Sequence, residues 1–229
     1  MLWPRPFNAR TMRMDKKEWP TLEAIGGIVE VGADFLASDM FGASGDLFAD
    51  IPIVGTLFQV MKAVDSVRDR ALSVKLMRFL EPFEEASKND RDKFRKRLMQ
   101  DEAETRRVGE ILFLVVERLT DLDKAQILGC LFVSYLNEQL SSIELRRMAQ
   151  AVDISFADDL VSLIESDGDI NQSEALWLKS LVPSSLAEPV GATMFDEMGK
   201  IYYSMTELGK KLRSAYLFAQ SNLLTQPFT

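Results

Sequence analysis

The spacing of apolar residues constrains the fold of this chain more than any other sequence feature. From Ile51 onward, apolar side chains recur three and four positions apart, with polar residues between them. This period places the apolar side chains on one face of an α-helix. The spacing predicts one bent helix or two helices over 53–80, ending before Pro82. A further helix, capped by Asn89 or Asp90, is expected to bury its apolar residues. These residues are Phe94, Leu98 and Met99.

Two strongly apolar segments, 108–119 and 125–136, predict the centre of the fold. Helices with so little polar surface are usually buried on most sides, so we expect both in the core. Cys130 lies in the second segment and is the only Cys in the chain. An internal disulfide or a thiolate metal cage needs more than one Cys, so the sequence predicts a buried core thiol.

Three polar turns carry a Ser or Asn followed three residues later by an acid. This spacing is typical of a capping box, in which each side chain bonds the other residue's backbone N–H at a helix start. The pairs are Ser141 with Glu144, Asn171 with Glu174, and Ser155 with Asp158. They predict, in the same order, helices over 143–152, 175–182 and 156–165. The middle of the chain is therefore expected to be an antiparallel helix array.

The turn at 163–174 partly matches an EF-hand calcium loop. Asp167, Gly168 and Glu174 match, but Leu163 occupies the first position, where a calcium ligand is required. We therefore favour a tight Gly turn and predict no metal site. The pattern Asp167-Gly168-x-Ile170-x-x-x-Glu174 also resembles the turn of tellurite-resistance TerB-like helical proteins.

The region after 200 has the order of a strand followed by a helix. Residues 201–205 have strand-like composition, Thr206 is placed to cap a helix, and Gly209 suits close packing. The segment 203–212, Tyr-Ser-Met-Thr-Glu-Leu-Gly-Lys-Lys-Leu, resembles the final wing strand and closing helix of bacterial winged helix-turn-helix domains. This resemblance implies a unit over about 155–220 in which 171–181 would be the recognition helix.

These patterns predict a mainly α protein: a multi-helix array with a small winged-helix-like C-terminal unit of two or three short strands. The first 20 residues carry five Lys and Arg against two acids, which predicts a basic flexible tail. Residues 21–63 hold six of the twelve glycines and are called here the Gly-rich head. The remaining divisions are a central helical array over 64–153, the winged-helix-like unit over 154–220 and a tail over 221–229.

The Gly-rich head is the expected association surface, because surplus apolar surface usually marks an interface. The phenylalanines that would form this surface are Phe35, Phe41, Phe48 and Phe58. Six acids interrupt the segment, and its longest uncharged stretch, 51–61, is too short to cross a membrane core of about 30 Å. Peripheral membrane insertion is an alternative, although the basic face typical of an interfacial helix is missing. The sequence also lacks a secretory signal, so a cytoplasmic location is expected.

The formal charge of −8 and the absence of His limit the function classes. Without His, this sequence cannot form a Ser-His-Asp triad or an HExxH zinc site, and no catalytic, cofactor-binding or metal-ligating residue is predicted. The cations that would contact an anion or nucleic acid are Arg91, Arg95, Lys96, Arg97, Lys210, Lys211 and Arg213. Acids before and within 171–181 would repel phosphate, so DNA binding is the alternative to the favoured function.

The sequence therefore favours a noncatalytic helical interaction protein that self-associates or docks a protein partner, with no cofactor. A winged-helix DNA-binding regulator and a membrane-associating effector acting through the Gly-rich head are the alternatives.

Overall fold

The computed structural model describes residues 67–84, 88–168, 170, 172–191 and 200–224. The described part is 74% helical, with eight α-helices and one two-stranded antiparallel sheet, and confirms the mainly α fold with a small C-terminal strand unit. The basic tail and the Gly-rich head, including Phe35, Phe41, Phe48 and Phe58, lie outside the described residues. The helices are α1 Val67–Glu84, α2 Lys88–Gln100, α3 Glu102–Arg118, α4 Leu122–Leu136, α5 Ser142–Ile154, α6 Ala157–Glu165, α7 Leu176–Ser180 and α8 Glu207–Leu224.

Helix α4 is the centre of the described fold. Every residue from Lys124 to Leu136 is buried except Gln126. The helix packs against α1, α2, α5 and α8. Its N-cap is Asp121, whose carboxylate accepts a hydrogen bond from the Asp123 N–H at 2.8 Å. The prediction of a core helix here is confirmed, as is the prediction that Cys130 is a buried thiol.

A cluster of aromatic rings joins α4 to α1 and α2. Phe132 stacks on Phe79 with ring centroids 5.9 Å apart, and it also contacts Phe83 and Tyr135. Phe94 meets Phe83 edge-on at 6.4 Å. Burying a side chain of this size stabilises the fold by about 1.5–3 kcal/mol. The cluster therefore fixes the mutual positions of three helices.

The predicted end of α1 and the predicted start of α2 are both wrong. Helix α1 continues through Pro82 to Glu84, although proline cannot donate the helical hydrogen bond. The Pro82 ring is buried and faces Gly129 of α4, so tertiary packing holds the helix together at this point. Helix α2 begins at Lys88, which places Asn89 and Asp90 inside the helix instead of before it.

The predicted apolar face of α2 is correct for two of its three residues. Phe94 and Leu98 are buried as expected, whereas Met99 is 58% exposed and is not part of the core. In a helix, adjacent residues point about 100° apart, so a residue next to a buried one readily faces solvent. The core-facing stripe of α2 is therefore narrower than the sequence indicated.

One of the three capping boxes is confirmed. The Ser141 hydroxyl accepts from the Glu144 N–H, and the Glu144 carboxylate accepts from the Ser141 N–H at 2.8 Å. The box at Ser155 is wrong, because the Ser155 hydroxyl donates to the Ala151 carbonyl and so closes α5. Helix α6 instead starts after Phe156, with no side-chain cap.

Asn171, the capping residue of the predicted box at 171–174, lies outside the described residues, and the helix that follows begins only at Leu176, with no side-chain cap. Ser173 pairs with Tyr203 through two backbone hydrogen bonds of 2.8 and 2.9 Å, and the Met205 N–H donates to the Ile170 carbonyl at 2.8 Å. This part of the chain is therefore tied to a strand instead of starting a helix. The predicted recognition helix over 171–181 is reduced to the five residues of α7, followed by a 3-10 turn at Val182–Ser184.

A short hairpin forms the strand unit of the C-terminal region. Strand β1, Ala187–Gly191, pairs antiparallel with β2, Ile201–Met205, in a register that sets Ala187 opposite Met205. The Thr206 hydroxyl accepts from the Gly209 N–H at 3.1 Å, which confirms the predicted helix cap. A Cβ at Gly209 would overlap the Leu186 carbonyl, which confirms the predicted close packing.

The turn after α6 is a glycine turn, as expected. Gly168 has φ of 80°, a left-handed conformation that favours glycine. Leu163, at the position where an EF-hand requires a ligand, is fully buried. Over the ranges given above, no helix has the length and apolar character needed to span a membrane.

Candidate docking site

A concave surface on the described residues lies between α3 and α5. It is an open groove of about 600 Å³, called here the α3/α5 groove. Its apolar lining consists of Ile111 and Val115 from α3 and Ile143 and Ile154 from α5. Ile143 and Ile154 are 56% and 55% exposed, so much of this apolar surface meets solvent.

A second, smaller depression extends the groove toward the amino ends of the two helices. It has a volume of about 220 Å³ and shares Arg146 with the main groove. Asp101 and Arg107 of α3 line it together with Ser142 of α5. At the other end, Arg118 and Asp153 form an ion pair with a separation of 2.6 Å. The amino ends of α3 and α5 therefore lie side by side, and so do their carboxyl ends. The two helices run parallel.

Four arginines border the groove, and three acids lie among them. Each acid has an internal partner: Asp101 caps α3, Glu104 accepts from the Tyr135 hydroxyl at 2.8 Å, and Asp153 binds Arg118. The other arginines are Arg107, Arg146 and Arg147. Arg146 donates through Nε to the Ser142 carbonyl, whereas Arg107 and Arg147 have no ion pair or hydrogen bond with any described residue.

The groove is therefore apolar along its floor and cationic along its border. This arrangement suits a ligand that has an apolar face flanked by carboxylates, because arginine binds carboxylates well and its stem also covers apolar surface. Exposed Leu114, one turn from Ile111 and Arg118 on α3, adds apolar area on that helix.

A polar contact among three helices stabilises the amino end of α3. Tyr135 of α4 donates to Glu104 of α3, and the guanidinium of Arg97 of α2 lies over the Tyr135 ring at 5.6 Å. Burial, together with the hydrogen bond to Glu104, raises the pKa of Tyr135 to about 12. The hydroxyl therefore stays protonated and continues to donate at neutral pH.

Of the four cations predicted to contact an anion on α2, the structure describes the side chains of two, Lys96 and Arg97. Lys96 is exposed, while Arg97 is half-buried against Tyr135 and donates to Gln100 at 3.4 Å. Arg91 and Arg95 lie in the same helix, but their side chains are outside the described part of the structure. Arg97 thus has a structural contact where the sequence predicted a ligand contact.

The predicted cations of α8 are engaged in internal contacts. Lys210 binds Glu207 at 2.9 Å, Lys211 binds Glu144 of α5, and Arg213 donates to the Ser166 carbonyl at the end of α6. Hydrogen bonds from Lys211 and from the Ser141 N–H and hydroxyl hold the pKa of Glu144 at about 2. The contacts of Lys211 and Arg213 join α8 to α5 and to the end of α6.

Sequence reasoning missed the groove residues. The segment 108–119 was expected in the core as a whole, yet Leu114 is 54% exposed. The available signal was the unbroken apolar run 111–116, which is wider than one helix face and so leaves apolar side chains on a second face. In α5, the corresponding signal is the pair Arg146-Arg147, which lies between two apolar residues, Ile143 and Ile154. This order indicates a surface with both apolar and cationic side chains.

Comparison with known proteins gives no match to a family model, a curated protein or a solved structure. The resemblances to winged helix-turn-helix and TerB-like proteins therefore stay predictions.

Proposed function

We propose that this chain is a noncatalytic helical interaction protein that docks an acidic, amphipathic helical segment of a protein partner. The observation that supports the proposal is the α3/α5 groove, with exposed Ile143 and Ile154 on its floor and Arg107 and Arg147 at its border. Helix-in-groove recognition uses this combination of apolar anchors and flanking charge.

The size of the groove suits a short helix. The 13 residues of α5 span about 20 Å at about 1.5 Å per residue, and α3 is longer. A docked helix of about 13 residues would therefore match the groove along its whole length. Its apolar side chains would cover Ile111, Ile143 and Ile154, and its carboxylates would meet the arginines.

The contacts of α8 favour docking of a protein over binding of DNA. Phosphate binding needs cations that can approach the nucleic acid backbone. Lys211 and Arg213 instead bind Glu144 and the Ser166 carbonyl, and α7 is too short to act as the expected recognition helix. The DNA-binding alternative therefore has less support than it had from sequence.

A model peptide tests the proposal directly. The probe is a fluorescein-labelled helix of about 14 residues, or four turns, with Leu on one face and Glu on the other. Its matched peptide carries Lys in place of Glu. By fluorescence anisotropy, the acidic peptide should bind saturably, weaken as salt is added, and bind more tightly than the basic peptide, because charge steers the contact.

Matched charge changes show whether binding occurs in the groove. Arg107→Glu with Arg147→Glu should raise the Kd at least tenfold. Lys179→Glu with Lys200→Glu changes the net charge equally at exposed positions that do not line the groove, and should leave the Kd within about twofold, since neither residue belongs to the two helices that form the groove.

A chain with Glu30→Lys and Asp34→Lys is measured in parallel, because the acids of the Gly-rich head are groups of the same chemistry as those of the peptide. The proposal is rejected if the acidic peptide binds neither this chain nor the wild type. It is also rejected if the groove variant binds as tightly as its control.

A further inference from the structure

We infer that the Gly-rich head of the same chain, residues 21–63, occupies the α3/α5 groove and competes there with the protein partner. This inference depends on the docking function proposed above and names one occupant of the same site. The head and the partner would be alternative ligands of the same surface.

Charge complementarity is the first argument. The head contains six acids and one cation, Lys62, whereas two of the arginines that border the groove have no partner among the described residues. Glu30 and Asp34 are four residues apart, as are Val31 and Phe35. Residues four apart share a helix face, so in helical form the two acids lie beside the two apolar side chains.

The connection to α1 is the second argument. Lys75 of α1 donates through Nζ to the carbonyl of Glu117, one residue before Arg118 at the carboxyl end of the groove. Val67, where α1 begins, lies eight residues earlier, or about 12 Å along the helix axis. The chain therefore enters α1 about 12 Å along the helix axis from the residue that contacts the carboxyl end of α3.

Chain length does not limit this contact. The 31 residues from 36 to 66 can span up to about 100 Å in extended form, far more than the groove length of about 20 Å. A segment tethered in this way acts at an effective concentration on the order of millimolar. Weak contacts with the groove would therefore be enough to keep it occupied.

Cysteine labelling in the full chain tests the inference. Ile143→Cys places a thiol in the groove, and Leu176→Cys places one on α7, where the native side chain is 79% exposed. The native Cys130 is buried and gives the background rate, measured on wild type. If the head covers the groove, maleimide should modify Ile143→Cys at least fivefold more slowly than Leu176→Cys.

Charge reversal identifies the segment that gives the protection. Glu30→Lys with Asp34→Lys should speed labelling of Ile143→Cys at least fivefold and leave Leu176→Cys unchanged. Adding Arg107→Glu and Arg147→Glu restores opposite charges across the contact and should restore slow labelling. Such a rescue would not occur if the first pair of changes had acted through anything other than the charge contact.

The outcomes separate this inference from the docking function. If Ile143→Cys reacts as fast as Leu176→Cys in the full chain, but the acidic peptide protects it, the docking function stands and the inference is wrong. If neither head nor peptide protects the thiol, both fail. Protection that weakens on dilution would place a second copy's head in the groove and would overturn the intramolecular form.

Discussion

Replacing Gly129 with alanine tests the packing at the centre of the fold. Gly129 lies in the middle of α4, where the backbone of α1 packs directly against it. A Cβ at this position would overlap the backbone carbonyl oxygen of Phe79 and lie 3.2 Å from Cγ of Pro82. A backbone carbonyl cannot rotate away as a side chain can, so the two helices would have to separate.

The expected free-energy change is the difference between two effects. Overpacking a core costs about 1–3 kcal/mol, and the upper value applies here because the obstacle is backbone. Alanine in place of glycine returns about 1 kcal/mol of helix propensity. Gly129→Ala should therefore lower the free energy of unfolding by about 2 kcal/mol, which corresponds to a Tm lower by about 4–8 °C in a chain of this size.

Urea unfolding followed by circular dichroism at 222 nm measures this change. Gly191→Ala is the control, since a Cβ at Gly191 would meet no other atom within 4 Å. It should leave the free energy of unfolding within about 0.5 kcal/mol of the wild-type value. If Gly129→Ala is as stable as the wild type or more stable, helix propensity outweighs the overlap, and the close approach of α4 to α1 is not a constraint on the fold.

Two further predictions concern pH. The pKa of Glu144 is lowered from 4.5 to about 2, so its stabilising contribution is complete above 4.5 and is lost as pH falls toward 2. Glu144→Gln should therefore be less stable than the wild type at pH 7, and the gap should close on acidification. Glu110→Gln, at an exposed site on α3, is the control; a gap that stays constant with pH would contradict the role of the charge. The pKa of Tyr135 is raised from 10.0 to about 12, so its contribution is complete below 10 and is lost as pH rises toward 12. Tyr135→Phe should lower the free energy of unfolding by about 1–2 kcal/mol at pH 7, by losing the hydrogen bond to Glu104, and this gap should narrow between pH 10 and 12 in urea titrations. A gap that persists at pH 12 would mean that packing, and not the hydroxyl, is responsible.

Sequence patterns predicted helix caps and buried helix faces correctly where the residues involved are neighbours in the chain. The Ser141 and Glu144 box, the Thr206 cap and the buried face of α4 each depend on residues within one or two turns, and each is confirmed. The errors have a different origin. Ile170 and Ser173 bond to β2, about thirty positions later, and these backbone hydrogen bonds outweigh the local capping signal.

The same reasoning explains the continuation of α1 through Pro82. A proline inside a helix is a strong local signal for a break. The contact between its ring and α4, at a position where only glycine leaves room, depends on tertiary structure. Sequence alone therefore placed the helices well and their ends less well, because the ends depend on which distant residues they meet.

The groove could not be located from sequence because periodicity shows which residues are apolar and not which helix covers them. Val115 and Leu114 are adjacent in α3, yet the first is buried and the second is exposed. The deciding factor is the placement of α5, which packs on one side of α3 and leaves a second apolar side open.

Net charge is an equally poor guide to the charge of this site. The chain carries a net charge of −8, and that sum treats all cations alike. Lys211 and Arg213 hold α8 against its neighbours. Arg107 and Arg147, by contrast, have no described partner. Cations engaged in internal contacts have little charge left to offer a ligand. The cations without described partners lie beside exposed apolar surface, and this combination is the basis of the docking function proposed above. In the proposals made above, the Gly-rich head, with six acids and one cation, is the acidic segment of the same chain that would meet these arginines.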